Sequence, residues 1–580
     1  MAGTTLDIES IIHPDILATE IANKWMEWNS FRSKWLEEKK ELRNYLYATS
    51  TKTTSNAILP WSNTTTTPKL TQISDNLHAN YMATLFPQNK WMKWEALDKE
   101  SGTKLKRDII QAYMDNKIRQ SNFTSVASKL VQDYIIYGNC FATVEFEKTF
   151  RKKADGEQVL DYVGPRIVRI SPYDIVFNPT ASSFDKTPKI IKSIMTLGEV
   201  KKFMDDSGNT SYQAIFDKMI YARNAVKGGD GDVSKGSAYT ADGFTDIKNY
   251  YDSNYVEILT FYGDIYDYSN SMLLRDRIIS VVDRAYILEN VEQPAWSGKA
   301  PIFSAGWRER PDNLYAMGPL DNLVGMQYRI DHLENLKADV FDQIAYPITK
   351  IRGDVEDFDY APGSRIYMGE EGDVAYLVPD ATALNADFQI RALEDKMEEM
   401  AGAPRQAMGI RTPGEKTAFE VEQLQNSASR IFEHKAAHFE RVFLEPALNA
   451  MLELSTRNLD MVDNIEVVDP NSGATVFRQI RKEDISGNGK IVPMGARHFA
   501  EKARRVQSLS TLWQLKSTDP SVAAHLSGKR FAQILAEELQ EPDLFGENVA
   551  VKEQMETQMA SQDQEADMME QMQIAAENGL

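Results

Sequence analysis

The chain has 580 residues, 42% of them hydrophobic and 26% charged, which is the composition of a folded protein and excludes a disordered one. That length exceeds one core of ordinary size, so roughly two to four subdomains are expected. Lys and Arg number 65 against 85 Asp and Glu, a net charge of −20. This argues against tight gripping of nucleic acid through its phosphates, and leaves open a protein past which DNA must slide without sticking.

One cysteine, Cys140, precludes an intrachain disulfide and points to a reducing compartment or a particle assembled in one. The longest apolar runs are only a few residues, against the roughly 20 that span a bilayer, so no membrane contact is expected. The opening "MAGTTLDIESIIHPDI" lacks a basic region followed by an apolar one, so the reading is a cytosolic product without a signal peptide.

Residues 15–50 read as one helix, with Trp25, Trp28 and Trp35 near one stripe, followed by the Thr/Ser-rich loop "TSTKTTSNAILPWSNTTTTPK". Leu70, Ile73, Leu77, Tyr81 and Leu85 recur at helical spacing until Pro87 stops the run. Residues 104–137 hold one or two helices, closed by Gly138-Asn139. "CFATVEFEKTF" alternates as a strand, and "YVGPRIVRISPYDIVFNP" supplies another pair. Residues 224–245 read as a surface loop, and a second β-rich block follows from "YVEILTFYGDIYD" to "PIFSAGWRER".

A helix over 318–345 places Leu320, Leu323, Ile330, Leu333, Leu336, Val340 and Ile344 near one stripe. Short strands and turns are expected over 347–380, then a helix over 384–400. The next stretch, "GAPRQAMGIRTPGEK", is breaker-rich and basic, and passes directly into a helix of roughly ten turns starting at Thr417. Thr417 and Glu420 have capping-box spacing. Val421, Leu424, Ala428, Ile431, Phe439, Val442 and Met451 form its apolar stripe, and Pro446 predicts a kink near 442–446. Residues 463–493 read as a small β segment and 496–540 as short helices. The Gln/Met-rich residues 551–580 read as a thin helix or a disordered tail.

Signatures of catalysis do not accumulate. "GDVSKGS" and "SGNGKIV" have the wrong spacing for a phosphate loop. "DGDVSKG" imitates a calcium loop, but Lys235 stands where Gly is needed and Ala241 where a bidentate Glu belongs. His434 and His438 are four apart on a helix with no third ligand nearby. Asp354, Glu356, Asp357, Asp359, Glu370, Glu371 and Asp373 surround Arg365, an acidic cluster that reads as a solvated loop rather than a cation site. No enzyme, cofactor or metal is expected.

The order of elements is more telling than any one motif. Helix, small acidic β module, returning helix, basic loop and very long helix follow one another. "YAMGPLDNL", "GEKTAFEVEQLQNSASRIF", "LEP" at 444–446 and "LVQDYIIYGNCFATVEFE" occupy fitting places. In this the chain resembles the portal proteins (head-to-tail connectors) of tailed bacteriophages, above all the short-tailed ones. The likeness covers roughly residues 60–540.

It implies an α+β ring subunit with wing, stem, clip and crown regions and a long radial helix in the wing. The implied regions are a wing over 1–317, a first stem helix over 318–346, a clip over 347–380 and a second stem helix over 381–401. A tunnel loop over 402–416 follows, then the wing helix and β return over 417–495, crown helices over 496–546 and a tail over 547–580. It further implies a homo-oligomeric ring, dodecameric in the family, at one vertex of a virion, assembled in the host cytoplasm. Double-stranded DNA would pass through its channel, with the major capsid protein, the terminase and a tail adaptor as partners. Arg405, Gln406, Arg411, Thr412 and Lys416 would face the channel, and the acidic cluster with Arg365 would meet partners at the clip. Competing readings are another virion part, such as a tail adaptor or internal head protein, and a DNA-packaging enzyme.

Overall fold

The computed structural model describes residues 15–47, 62–86, 91–101, 103–153, 156, 158–206, 210–227, 254–268, 270–296, 298–358, 364–378, 381–401, 431–459, 462–468 and 475–495. They fall into two compact units, one within Met1–Met461 and Arg481–Pro493, the other within Val462–Ile480 and Met494–Leu580. Helices and antiparallel sheets are both present, so the class is α+β.

In the first unit, α1 (Ile16–Phe31) and α2 (Ser33–Leu46) replace the single helix expected over 15–50. The break is Arg32, whose backbone leaves helical geometry at φ −100° and ψ 4°. Its buried guanidinium donates to the carbonyls of Pro172, Tyr173 and Ile175 at 2.6–2.8 Å. A buried guanidinium must find such acceptors, and one turned chain satisfies it here. Next come α3 (Lys69–Leu85), β1 (Met92–Ala96), α4 (Lys104–Gln120) and α5 (Phe123–Ile136). The α3 stripe is buried from Leu70 to Leu85. Beyond α5, Gly138 adopts φ 76°, and a Cβ there would meet the Gly318 backbone nitrogen at 2.5 Å.

β2 (Asn139–Lys152), β3 (Gln158–Ile170), β4 (Ile175–Phe177) and β5 (Lys189–Thr196) lead to α6 (Leu197–Asp206) and α7 (Thr210–Lys227), two helices the pattern did not disclose. The helix α7 also takes in residues 224–227, the start of the expected surface loop, whose remainder to 245 lies outside the described residues. β6 (Tyr255–Asp267), β7 (Met272–Val282) and β8 (Tyr286–Glu292) complete a five-stranded sheet of order β4-β5-β6-β7-β8. Leu17, Ile21 and Trp25 of α1 pack on Leu259, Phe261 and Val281, whereas Val200, Met204 and Met219 pack on Val256, Ile258 and Val282. Strand alternation therefore puts α1 on one face and α6–α7 on the other. The β7–β8 turn holds Asp283 and Arg284 at φ 49° and 58°, where Asn-Gly or Asp-Gly is the usual choice. Two buried ion pairs hold it: Arg223 donates to Asp283 at 2.8 and 2.9 Å, and Arg284 to Glu257 at 2.7 and 2.9 Å.

β9 (Ile302–Gly306) joins β2 and β3 in a second sheet, and β10 (Arg308–Arg310) pairs with β11 (Asn313–Met317). The helix expected over 318–345 is a 3₁₀ turn, Asp321–Leu323, followed by α8 (Val324–Ala345). β12 (Ile348–Arg352) and β13 (Asp373–Leu377) form a hairpin, and a second 3₁₀ turn, Ala381–Ala386, opens α9 (Asp387–Ala401).

Of the long helix, residues 431–439 are described, then a π turn, Glu440–Leu444, then α10 (Glu445–Asn458). Pro446 offers no N–H, and the Glu445 N–H bonds Glu440 O, five residues back. The extra residue per turn shifts the apolar face. Phe439 before the π turn, Phe443 and Leu444 within it, and Leu448 and Met451 after it are all buried, whereas Ile431 is 58% exposed. The β segment expected over 463–493 is divided. β14 (Asp463–Val468) and β15 (Thr475–Ile480) form a hairpin in the second unit. In the first unit, α11 (Lys482–Ile485) precedes β16 (Gly489–Pro493), which pairs with β1.

Candidate functional site

The helices α8 and α9 pack against each other, and α8 has two different buried faces. Ile330, Leu333 and Val340 supply the apolar one, continued by Leu320 and Leu323 of the turn before it; of the expected stripe, Leu336 remains 42% exposed. Gln327, Asp331 and Asn335 are buried as well, and their four-residue spacing aligns them along the helix. They hold the strap 62–68, and the first turn of α3 into which it runs, by the backbone. The Thr65 N–H donates to Asn335 Oδ1 at 2.9 Å, and Asn335 Nδ2 returns a bond to Thr65 O at 2.8 Å. The Thr67 N–H donates to Asp331 Oδ1 at 3.0 Å, and the Leu70 N–H to Gln327 Oε1 at 3.2 Å. Asn63 N–H donates to Asp339 Oδ1 at 2.6 Å. Helix side chains thereby replace the ladder partners that a strand would have needed. At the strap's end, Lys69 Nζ meets Glu398 Oε1 of α9 at 2.7 Å, a buried ion pair joining α3 to α9.

Beyond this anchored part the surface changes. Phe341, Tyr346 and Phe388 are 64%, 75% and 82% exposed. The β12–β13 hairpin that joins the helices pairs Ile348 with Leu377 on one face, and Ile351 with Val374 on the other. Ile348, Ile351, Tyr367, Met368, Tyr376 and Leu377 all lie exposed, so neither face is covered. A two-stranded hairpin alone is marginal in water, and a contiguous exposed apolar patch marks an interaction surface.

The acidic cluster sits on this hairpin. Asp354, Glu356, Asp357, Glu370, Glu371 and Asp373 are exposed, as is Arg365; Asp359 lies outside the described residues. The waist is drawn tight by the Gly369 N–H to Asp354 O bond at 2.9 Å and the Val355–Met368 bridge. Gly353, at φ 78°, approaches Glu371 O so closely that a Cβ would lie 2.3 Å from it. Among the described residues no three acidic, His or Cys side chains are grouped to hold a metal. His438 contacts Glu309 at 3.3 Å and holds that carboxyl below its usual range, while His434 is exposed.

No protein-family model matches this chain, and no curated protein matches it either.

Arg405, Gln406, Arg411, Thr412 and Lys416 lie outside the described residues. The anchors on either side of them are nonetheless firm. Ala401 is buried at the end of α9, and Lys435 donates to Trp307 O while its ammonium lies 4.8 Å from the Trp307 ring centroid. Phe432 packs on Tyr81 at a ring separation of 4.5 Å. A cleft of about 920 Å³ opens between β9, the loop around Trp296 and the helix through Val442 and Arg457. Its charged walls include the Lys299–Asp185 and Arg457–Glu453 pairs, both at 3.6 Å. Among the described residues, no helix is long and apolar enough to cross a membrane.

Proposed function

We propose that the chain is the subunit of a phage portal, a ring at the capsid vertex through which double-stranded DNA is packaged and ejected. The observation that supports this most is the hairpin between α8 and α9, with apolar side chains exposed on both faces. Repeated head to tail around an axis, such an element is covered by its neighbours, and a rotation that closes yields a ring. In this reading α8 and α9 line the channel and the hairpin engages the terminase, then the tail adaptor. The wider body meets the capsid.

Charge fits the same reading. Twelve copies at −20 each carry about −240, a field that discourages DNA from sticking. Arg405, Arg411 and Lys416 then give local, sequence-independent phosphate contacts within it. The role is structural, not enzymatic.

Deleting residues 354–373 tests the proposal. The expected product is a folded chain that assembles poorly or fails to engage its partner. Particles with normal DNA content from that deletion would refute it. ATP hydrolysis by the purified chain would favour a packaging enzyme, and a monomer that joins only preformed rings would favour a tail adaptor.

A further inference from the structure

The strap contains one unequal rung. Asp331 is fully buried, and its Oδ1 accepts both the Thr67 N–H at 3.0 Å and Gln327 Nε2 at 2.8 Å. Its Oδ2 is buried without a hydrogen-bond partner among the described residues. The neighbouring rungs at Gln327 and Asn335 are neutral amides that each donate and accept across the strap. An ionised carboxylate in that line gives up hydration at both oxygens and recovers bonds at only one.

The charged groups on the surrounding elements are engaged elsewhere. Lys69 of α3 pairs with Glu398 of α9, and Lys39 of α2 with Asp321. Lys337 on α8 pairs with Asp387, and Asp339 and Asp342 accept from Asn63. His332, next to Asp331 in sequence, is exposed and stacks on Tyr328, with Glu334 further along α8.

We propose that the strap is a proton-tightened latch: Asp331 is its weak rung while ionised, and neutralising that carboxyl binds residues 62–68 more firmly to α8. Burial raises the Asp331 carboxyl to about 6, against the opposing bonds from Thr67 and Gln327. A raised carboxyl favours the closed strap when protonated, so the closed state gains as pH falls from about 7 towards the ordinary value of 3.8. The latch lies within one chain and operates in a monomer or an oligomer alike. Because it joins the N-terminal helices to α8, it would set how freely α8 shifts against the body.

Hydrogen exchange at the Thr65 and Thr67 amides, corrected for intrinsic rate, measures closure directly. Between pH 7.5 and 5 the wild type should gain about tenfold in protection, from a carboxyl at about 6 in the closed state and 3.8 in the open one. Asp331→Asn should be flat over that range and better protected than wild type at pH 7.5. His332→Gln should keep the tenfold gain. Flat wild-type protection would overturn the latch, as would loss of the gain in His332→Gln or its persistence in Asp331→Asn.

Discussion

Replacing Gly353 with alanine separates the hairpin's own order from the stability of the body beneath it. The residue sits at φ 78°, and its added Cβ would lie 2.3 Å from Glu371 O, a backbone atom that cannot swing aside. Left-handed geometry alone costs an L residue about 1–2 kcal/mol, and relieving the clash parts the strands further. A loss of about 2 kcal/mol lowers the ratio of paired to unpaired hairpin roughly thirtyfold. Because the hairpin is exposed, thermal unfolding of the body should move by no more than about 0.5 kcal/mol. Sedimentation velocity over a concentration series, beside a thermal melt, reads both quantities. Gly369→Ala is the internal control, since its Cβ would approach nothing closer than 3.5 Å. Gly353→Ala that assembles at wild-type concentrations would refute the reasoning. So would a Gly369→Ala variant as defective as Gly353→Ala.

Arg284→Ala removes both guanidinium bonds to the buried Glu257 carboxylate and should destabilise the five-stranded sheet by about 3–5 kcal/mol, read as a shift in the urea midpoint. Cys140 is buried with its thiol pushed far up by desolvation, so iodoacetamide should label it only on unfolding; rapid labelling of the native chain would contradict the fold. Replacing Arg405 and Arg411 together with alanine should leave assembly intact and impair DNA packaging or retention, measured as genome content per particle. Defective assembly would instead assign the pair to subunit contacts.

Several helices were legible because their apolar residues repeat at helical spacing and the same residues are buried, as from Leu70 to Leu85 in α3. Other features rest on groups that periodicity does not read. The break at Arg32 follows from three carbonyls about 140 residues away. α6 and α7 carry few core residues, and Val200, Met204 and Met219 acquire their meaning only against the sheet. β1 and β16 pair although Met92 and its partner Pro493 lie far apart in sequence, a contact no local pattern encodes.

The strap is hidden in the sequence for another reason. Gln327, Asp331, Asn335 and Asp339 recur every fourth residue, but polar residues on a helix ordinarily read as its solvated face. Their regular spacing beside the loop "SNTTTTP" was the available signal. Of the proposed site, the acidic residues emerged as a cluster from sequence alone. The exposed apolar faces that carry them required the register of β12 against β13.

Imaging the purified full-length chain by negative-stain electron microscopy, with its mass measured in parallel, tests the ring directly. Closed rings with a central hole wide enough for duplex DNA are expected. Twelve copies of the 65.7 kDa chain would weigh about 790 kDa. A chain that stays monomeric over the accessible concentration range, or forms closed two-fold dimers without a hole, would contradict it.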